Sequence, residues 1–169
     1  LHLTSPDPQT RSRTSQYFID LAHLCHDLGG TLLVLGSPQQ RNLIDGMSRD
    51  QGMTYATEVI RAAVPTFQQL GVTLALEPLG PQEGNFLLTA AEALELRERI
   101  DDDRVQLHLD VKAMSTETQS VPDTIRQGAR HLVHFHANDP NRRGPGMGDT
   151  DFVPILQALQ EIGYEDWVS

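Results

Sequence analysis

VTLALE (72–77), VQLHLD (105–110) and HLVHFH (131–136) are three short apolar runs, and each closes on a side chain able to bind a metal: Glu77, Asp110 and His136. Six-residue runs rich in valine, leucine and aromatic residues read as buried strands, because a helix needs twice that length to bury a face. TLLVLG (31–36) reads the same way. Helical patterns separate the four runs, so the strands point in one direction and their polar ends gather on one side of a parallel sheet.

The helices are legible from spacing and caps. Phe18, Leu21, Ala22, Cys25 and Leu28 recur at helical intervals and stop at Gly29-Gly30, a pair free to take positive φ. Met53, Ala56, Ile60, Ala63, Val64 and Phe67 line a second helix that ends at Gly71. Thr89 with Glu92 makes a capping-box signature for a helix to about Ile100. Ser120 and Pro122 fit the cap and first turn of a short helix to about Arg130. Asp151 caps a helix bearing Leu156, Leu159 and Ile162, which Gly163 ends.

Strands with so little polar interruption imply burial on both faces, as in an all-parallel sheet covered by helices. An open doubly wound sheet and an eight-stranded (β/α)8 barrel both satisfy this. A doubly wound nucleotide binder would carry a glycine-rich phosphate loop after its first strand, and none is present. GPGMGD (144–149) follows HANDPNRR and does not lead from a strand straight into a helix. It reads, with RRGPGMG, as a rim loop.

Composition narrows the function classes. A chain of 169 residues without linker or low-complexity tract is expected to form a single domain over residues 1–169. No run approaches the roughly 18 apolar residues that cross a bilayer, so the chain is expected to be soluble, with no membrane partner. A net charge of −10 repels nucleic-acid phosphates, and no nucleic-acid partner is expected. The lone Cys25 allows no internal disulfide and reads as a small core residue beside Leu21 and Leu28. No signal peptide opens the sequence, which points to the cytoplasm.

Taken singly, the three strand-end residues have ordinary explanations. Glu77 could answer a helix N-terminus, Asp110 could cap a turn, and His136 could be a hydrogen-bonded rim histidine. Together they form a ligand set. Hard oxygen donors with one imidazole suit Mn²⁺, Mg²⁺ or Co²⁺, and Zn²⁺ is compatible.

LALEPLGPQEGNFL (74–87), LHLDVKAMSTE (107–117) and HFHANDPNRRGPGMGDTDF (134–152) resemble the sugar isomerase and epimerase branch of the xylose isomerase-like TIM barrels, which includes ketose 3-epimerases and hydroxypyruvate isomerase. The likeness runs from LHLTSPD to the end, and the last segment is the distinctive one. The resemblance implies four metal ligands, with Glu77, Asp110 and His136 as three of them and a second glutamate falling just beyond Ser169. It makes Glu77 also an acid-base residue, in proton transfer through an enediolate of a ketose, sugar phosphate or hydroxy-keto substrate. Glu83 and Arg142 match positions that contact substrate hydroxyls, and Arg143 could assist with a phosphate or carboxylate. His134 and His108 share a strand face with the ligands, which leaves substrate contact open to both. A sugar-binding barrel without catalysis, or an inosose dehydratase-like lyase, is the alternative reading.

Two departures from the family pattern stand out. A histidine commonly lies three residues after the aspartate, but here that residue is Ala113, beside Lys112. A full barrel also needs about 250 residues. This sequence supplies four strands, a strand end at LHLT (1–4) and another strand beginning at WVS (167–169), and it begins with Leu1. It therefore reads as an incomplete barrel lacking N-terminal and C-terminal strands, a central piece of a longer product. Its two open sheet edges would invite pairing, which makes a homo-oligomer an option.

Overall fold

The computed structural model describes residues 1–169. Ten elements alternate along the chain: α1 (Pro8–Asp27), β1 (Leu32–Leu35), α2 (Arg49–Leu70), β2 (Thr73–Leu76), α3 (Ala90–Ile100), β3 (Val105–Asp110), α4 (Val111–Met114), α5 (Val121–Gly128), β4 (Leu132–His136) and α6 (Phe152–Glu161). The strands form one parallel sheet in the order β1-β2-β3-β4. Sequence order equals spatial order, as in a (β/α) barrel and unlike a doubly wound sheet, whose order reverses partway.

Thr89, Ser120 and Asp151 cap helices where the sequence places them, and Ser48, unread there, caps α2. Each accepts a hydrogen bond from a first-turn backbone N–H. Glu92 donates to Thr89 Oγ1 through its N–H (3.2 Å) and accepts from the N–H of Leu88 (2.7 Å), so the box closes one residue early. Gly71 ends α2 at φ 68°, a left-handed turn that a side chain would resist. α1 begins earlier than the apolar spacing suggests, at the Asp7 cap, because its first turns bury Arg11, Thr14 and Ser15 rather than hydrocarbons. α4, a single turn after Asp110, carries no periodic signal.

The sheet has one apolar face, not two. Leu74, Leu76, Leu107, Leu109 and Phe135 are buried in a core shared with Met53, Ile60, Phe67, Leu96, Ile125 and Ile155 of the helices. Alternation along each strand turns Ala75, Gln106, His108, Asp110, His134 and His136 to the opposite face. Burial on both faces, expected from the apolar runs, holds along most of β2 and β3, where Ala75, His108 and Asp110 are buried, but the inner face is polar, since three histidines and an aspartate sit at alternate positions of β3 and β4.

Other details differ from expectation. Leu28 caps α1 and is 79% exposed, so it does not enclose Cys25, whose half-buried thiol lies 3.5 Å from the carbonyl oxygen of Leu32. Leu156 points outward, and Ile155 and Leu159 carry the buried face of α6. α5 stops at Gly128, where an added Cβ would stand 2.7 Å from a Leu107 methyl. Residues 1–4 form a turn rather than a strand end, anchored by the N–H of buried Leu3 donating to Gln40 O (2.6 Å). Val168 does pair in parallel with Phe135, and Ser169 exchanges backbone hydrogen bonds with Phe135 and Ala137. No helix is long and apolar enough to cross a membrane.

Phe67, fully buried between α2 and the sheet, and Leu28 test this division of the core. Phe67→Ala should cost about 3–5 kcal/mol in urea unfolding, and Leu28→Ala should stay within about 0.5 kcal/mol.

Candidate metal centre

Parallel register brings the site together. Asp110 and His136 are direct partners across β3 and β4, and His108 pairs with His134 one step below. Leu76 pairs with Leu107, so Glu77, one residue past β2, stands level with His108. Glu77, Asp110 and His136 each offer a ligand atom, and these atoms lie within 4.8 Å of one another.

Glu77 is held through its backbone and Asp110 through its carboxylate. Glu77 N–H donates to Leu35 O (3.2 Å), and its own carbonyl accepts from the Arg41 guanidinium (2.7 Å). The same Arg41 nitrogen donates to Leu35 O (3.1 Å), which locks the ends of β1 and β2 side by side. Gly36 completes the arrangement: a Cβ there would overlap the Glu77 carboxylate. Asp110 Oδ1 accepts from the N–H of Ala113 (2.9 Å), and Oδ2 accepts from the Asn138 amide (2.9 Å) and lies 3.3 Å from His136 Nδ1. Asp110 is thus both the cap of α4 and a member of the ligand set.

The electrostatics ask for a cation. Burial, then the nearby Asp110 carboxylate, raise the Glu77 pKa to about 7, against the pull of Arg41. Arg41 is itself 1% exposed, and its loss of solvent brings its pKa down to about 10. His108 lies fully buried below Glu77, 3.7 Å from Oε2, with neither ring nitrogen hydrogen-bonded. Burial, then His136 and His134, push it down to about 3, so it is neutral. Two close carboxylates with an imidazole beside them fit a divalent cation. His108, His134 and His136 form a second triad in reach of one another, sharing His136 with the first. Their rings pack edge to face at 4.1 Å (His108 with His136) and 5.1 Å (His134 with His136).

Of the remaining sequence candidates, His134 sits at the inner face with Nε2 3.1 Å from Ser169 Oγ. Glu83 lies off the ligand set, paired with Lys112 Nζ at 2.6 Å, near enough to add to the raised pKa of Glu77. Arg142 stands on the exposed loop after β4 at φ 66°, beside Glu83 and Lys112 around one cavity. Arg41, Asn138 and Gly36 were not legible in the sequence. Arg41 and Gly36 act through backbone contacts, which leave no spacing signal, and Asn138 sat unremarked within the distinctive HANDPNRR segment. Asp139, 3% exposed, organises that loop by accepting from the N–H groups of Arg142 and Thr150.

In metal-free protein the Glu77 carboxyl holds its proton longer folded than unfolded, so between about pH 4.5 and 7 it makes stability fall as pH rises. Glu77→Gln removes that slope. The variant's urea midpoint, relative to wild type, should climb from pH 4.5 to 7 and then level off. Asn138→Ala should weaken Mn²⁺ binding about 10- to 100-fold by freeing Asp110 to turn, measured by titration with electron paramagnetic resonance.

Comparison with known proteins agrees with this fold. The sequence model of the Xylose isomerase-like TIM barrel family matches residues 1–169. The chain is 29% identical over 168 residues to a D-psicose 3-epimerase of Ruminiclostridium cellulolyticum, covering 96% of this chain and 56% of that protein. It is 32% identical over 171 residues to an L-ribulose 3-epimerase of Mesorhizobium japonicum, covering 99% and 56%. The crystal structure of a D-psicose 3-epimerase with D-tagatose from Clostridium cellulolyticum superposes with a TM-score of 0.90 at 29% identity, covering 99% of this chain and 58% of that one. The chain spans a little over half the length of these relatives.

Proposed function

The chain belongs to the Xylose isomerase-like TIM barrel family, and on that premise we propose that it carries the metal-binding half of a ketose 3-epimerase active site. The observation that supports this best is the meeting of Glu77, Asp110 and His136 at adjacent strand ends, with the Glu77 pKa raised to about 7.

Glu77, Asp110 and His136 would hold the divalent ion. When bound, such an ion polarises a carbonyl and the adjacent hydroxyl, which makes the neighbouring C–H acidic. The protein's own groups do the rest. Glu77 takes the proton from the carbon beside the carbonyl, and a carboxylate with a pKa near 7 is suited both to accept a proton and to give one back. Arg41 fixes where that carboxylate starts from, through its grip on the Glu77 carbonyl. Asn138 keeps Asp110 facing His136. His108, neutral beneath Glu77, adds bulk without a competing charge. Inversion needs a second acid that delivers its own proton to the opposite side of the carbon while Glu77 keeps the one it took. The second glutamate implied by the family resemblance would supply it, and the sugar epimerase names of the relatives accord with that outcome.

The full-length protein loaded with Mn²⁺ should exchange the proton at C3 of a ketose in D₂O, followed by NMR. Glu77→Gln should slow this by about 10²-fold or more. A variant exchanging at the wild-type rate would exclude Glu77 as the base.

A further inference from the structure

One cavity, of about 310 Å³, has a wall without hydrophobic side chains. It opens beside the ligand set: Lys112, on its wall, follows Asp110 by two residues, and its N–H donates to Asn138 Oδ1 (3.3 Å) while the same amide donates to Asp110. Gly80 keeps it open, since a Cβ there would stand 2.8 Å from Gln82 Oε1 and 3.1 Å from Thr116 Oγ1.

The charges around it do not cancel. Lys112 and Arg142 face a single carboxylate, Glu83. Glu83 occupies one of the three donors of the Lys112 ammonium and leaves two. Arg142 donates only through its backbone, to Asp139 O (2.7 Å), so its guanidinium fork has no acceptor on the protein. The loop holds Arg142 at a left-handed φ of 66° that side-chain-bearing residues rarely adopt, and buried Asp139 anchors that turn. Ala113 brings no polar group of its own and no bulk beyond a methyl.

We propose that this cavity is the subsite for an anionic substituent of the substrate, a carboxylate or a phosphate, held by Lys112 and Arg142. A planar guanidinium with an ammonium beside it meets such a group with several charge-assisted hydrogen bonds, which a neutral hydroxyl cannot match. The proposal names the substrate class as an acidic or phosphorylated ketose, and it rests on the epimerase reading for the identity of the reacting centre.

Three small probes that differ in charge test it on the full-length, Mn²⁺-loaded protein: glycerol, D-glycerate and glycerol 3-phosphate, titrated by calorimetry. At least one anion should bind about tenfold or more tightly than glycerol. Lys112→Met and Arg142→Met should each lower that affinity about tenfold, with Lys112→Arg retaining most of it and circular dichroism confirming the fold. The preferred anion identifies carboxylate or phosphate as the group recognised. Equal binding of glycerol, or an anion affinity unchanged in Lys112→Met as direct binding to the metal would give, overturns the proposal. Anion selectivity without proton exchange on any ketose overturns the epimerase reading alone, and exchange on neutral ketoses without anion preference overturns the subsite alone.

Discussion

Two carboxylates brought together at the ends of neighbouring parallel strands repel each other, and much around them serves to hold them there. The parallel register sets Asp110 against His136 and raises Glu77 to the level of His108. Arg41, buried and reaching both strand-end carbonyls, ties β2 to β1 and so fixes the strand end from which Glu77 faces Asp110. Burial first, and the Asp110 carboxylate after it, hold the pKa of Glu77 high. A protein that maintains such an arrangement gives up stability at neutral pH in its metal-free form, which is common where function and folding compete.

Much of this was readable in the residues. The four strands, most helix caps and the three candidate ligands follow from apolar run length, capping chemistry and the residue type at each strand end. Glu77 sits one residue beyond the observed strand, and Asp110 and His136 end theirs. The alternation that sets His108 with Asp110 and His134 with His136 was legible too, but the polarity of the whole inner face was not, because the leucine, valine and phenylalanine between these positions make the runs look uniformly apolar. The supports were invisible for another reason. Arg41 and Gly36 work by touching a backbone and by leaving a space, and neither act has a periodicity.

The replacement of the expected histidine by Ala113 changes the neighbourhood without disturbing the ligands. Ala113 N–H still caps onto Asp110, and Lys112 next to it turns to Glu83. Lys112 and Ala113 lie in the single helical turn after β3, outside the strands that carry the three candidate ligands. Barrels commonly diversify in this way, since βα loops change more freely than the strands that carry them.

Asp110 carries one more implication. Its Oδ1 is committed to the α4 cap, which leaves only Oδ2 turned toward His136. The other oxygen accepts from the Asn138 amide, so the carboxylate is pinned at one end by the helix that follows it and at the other by the loop after β4. A hydrogen bond that starts a four-residue helix thus also stops the plane of a carboxylate from rotating.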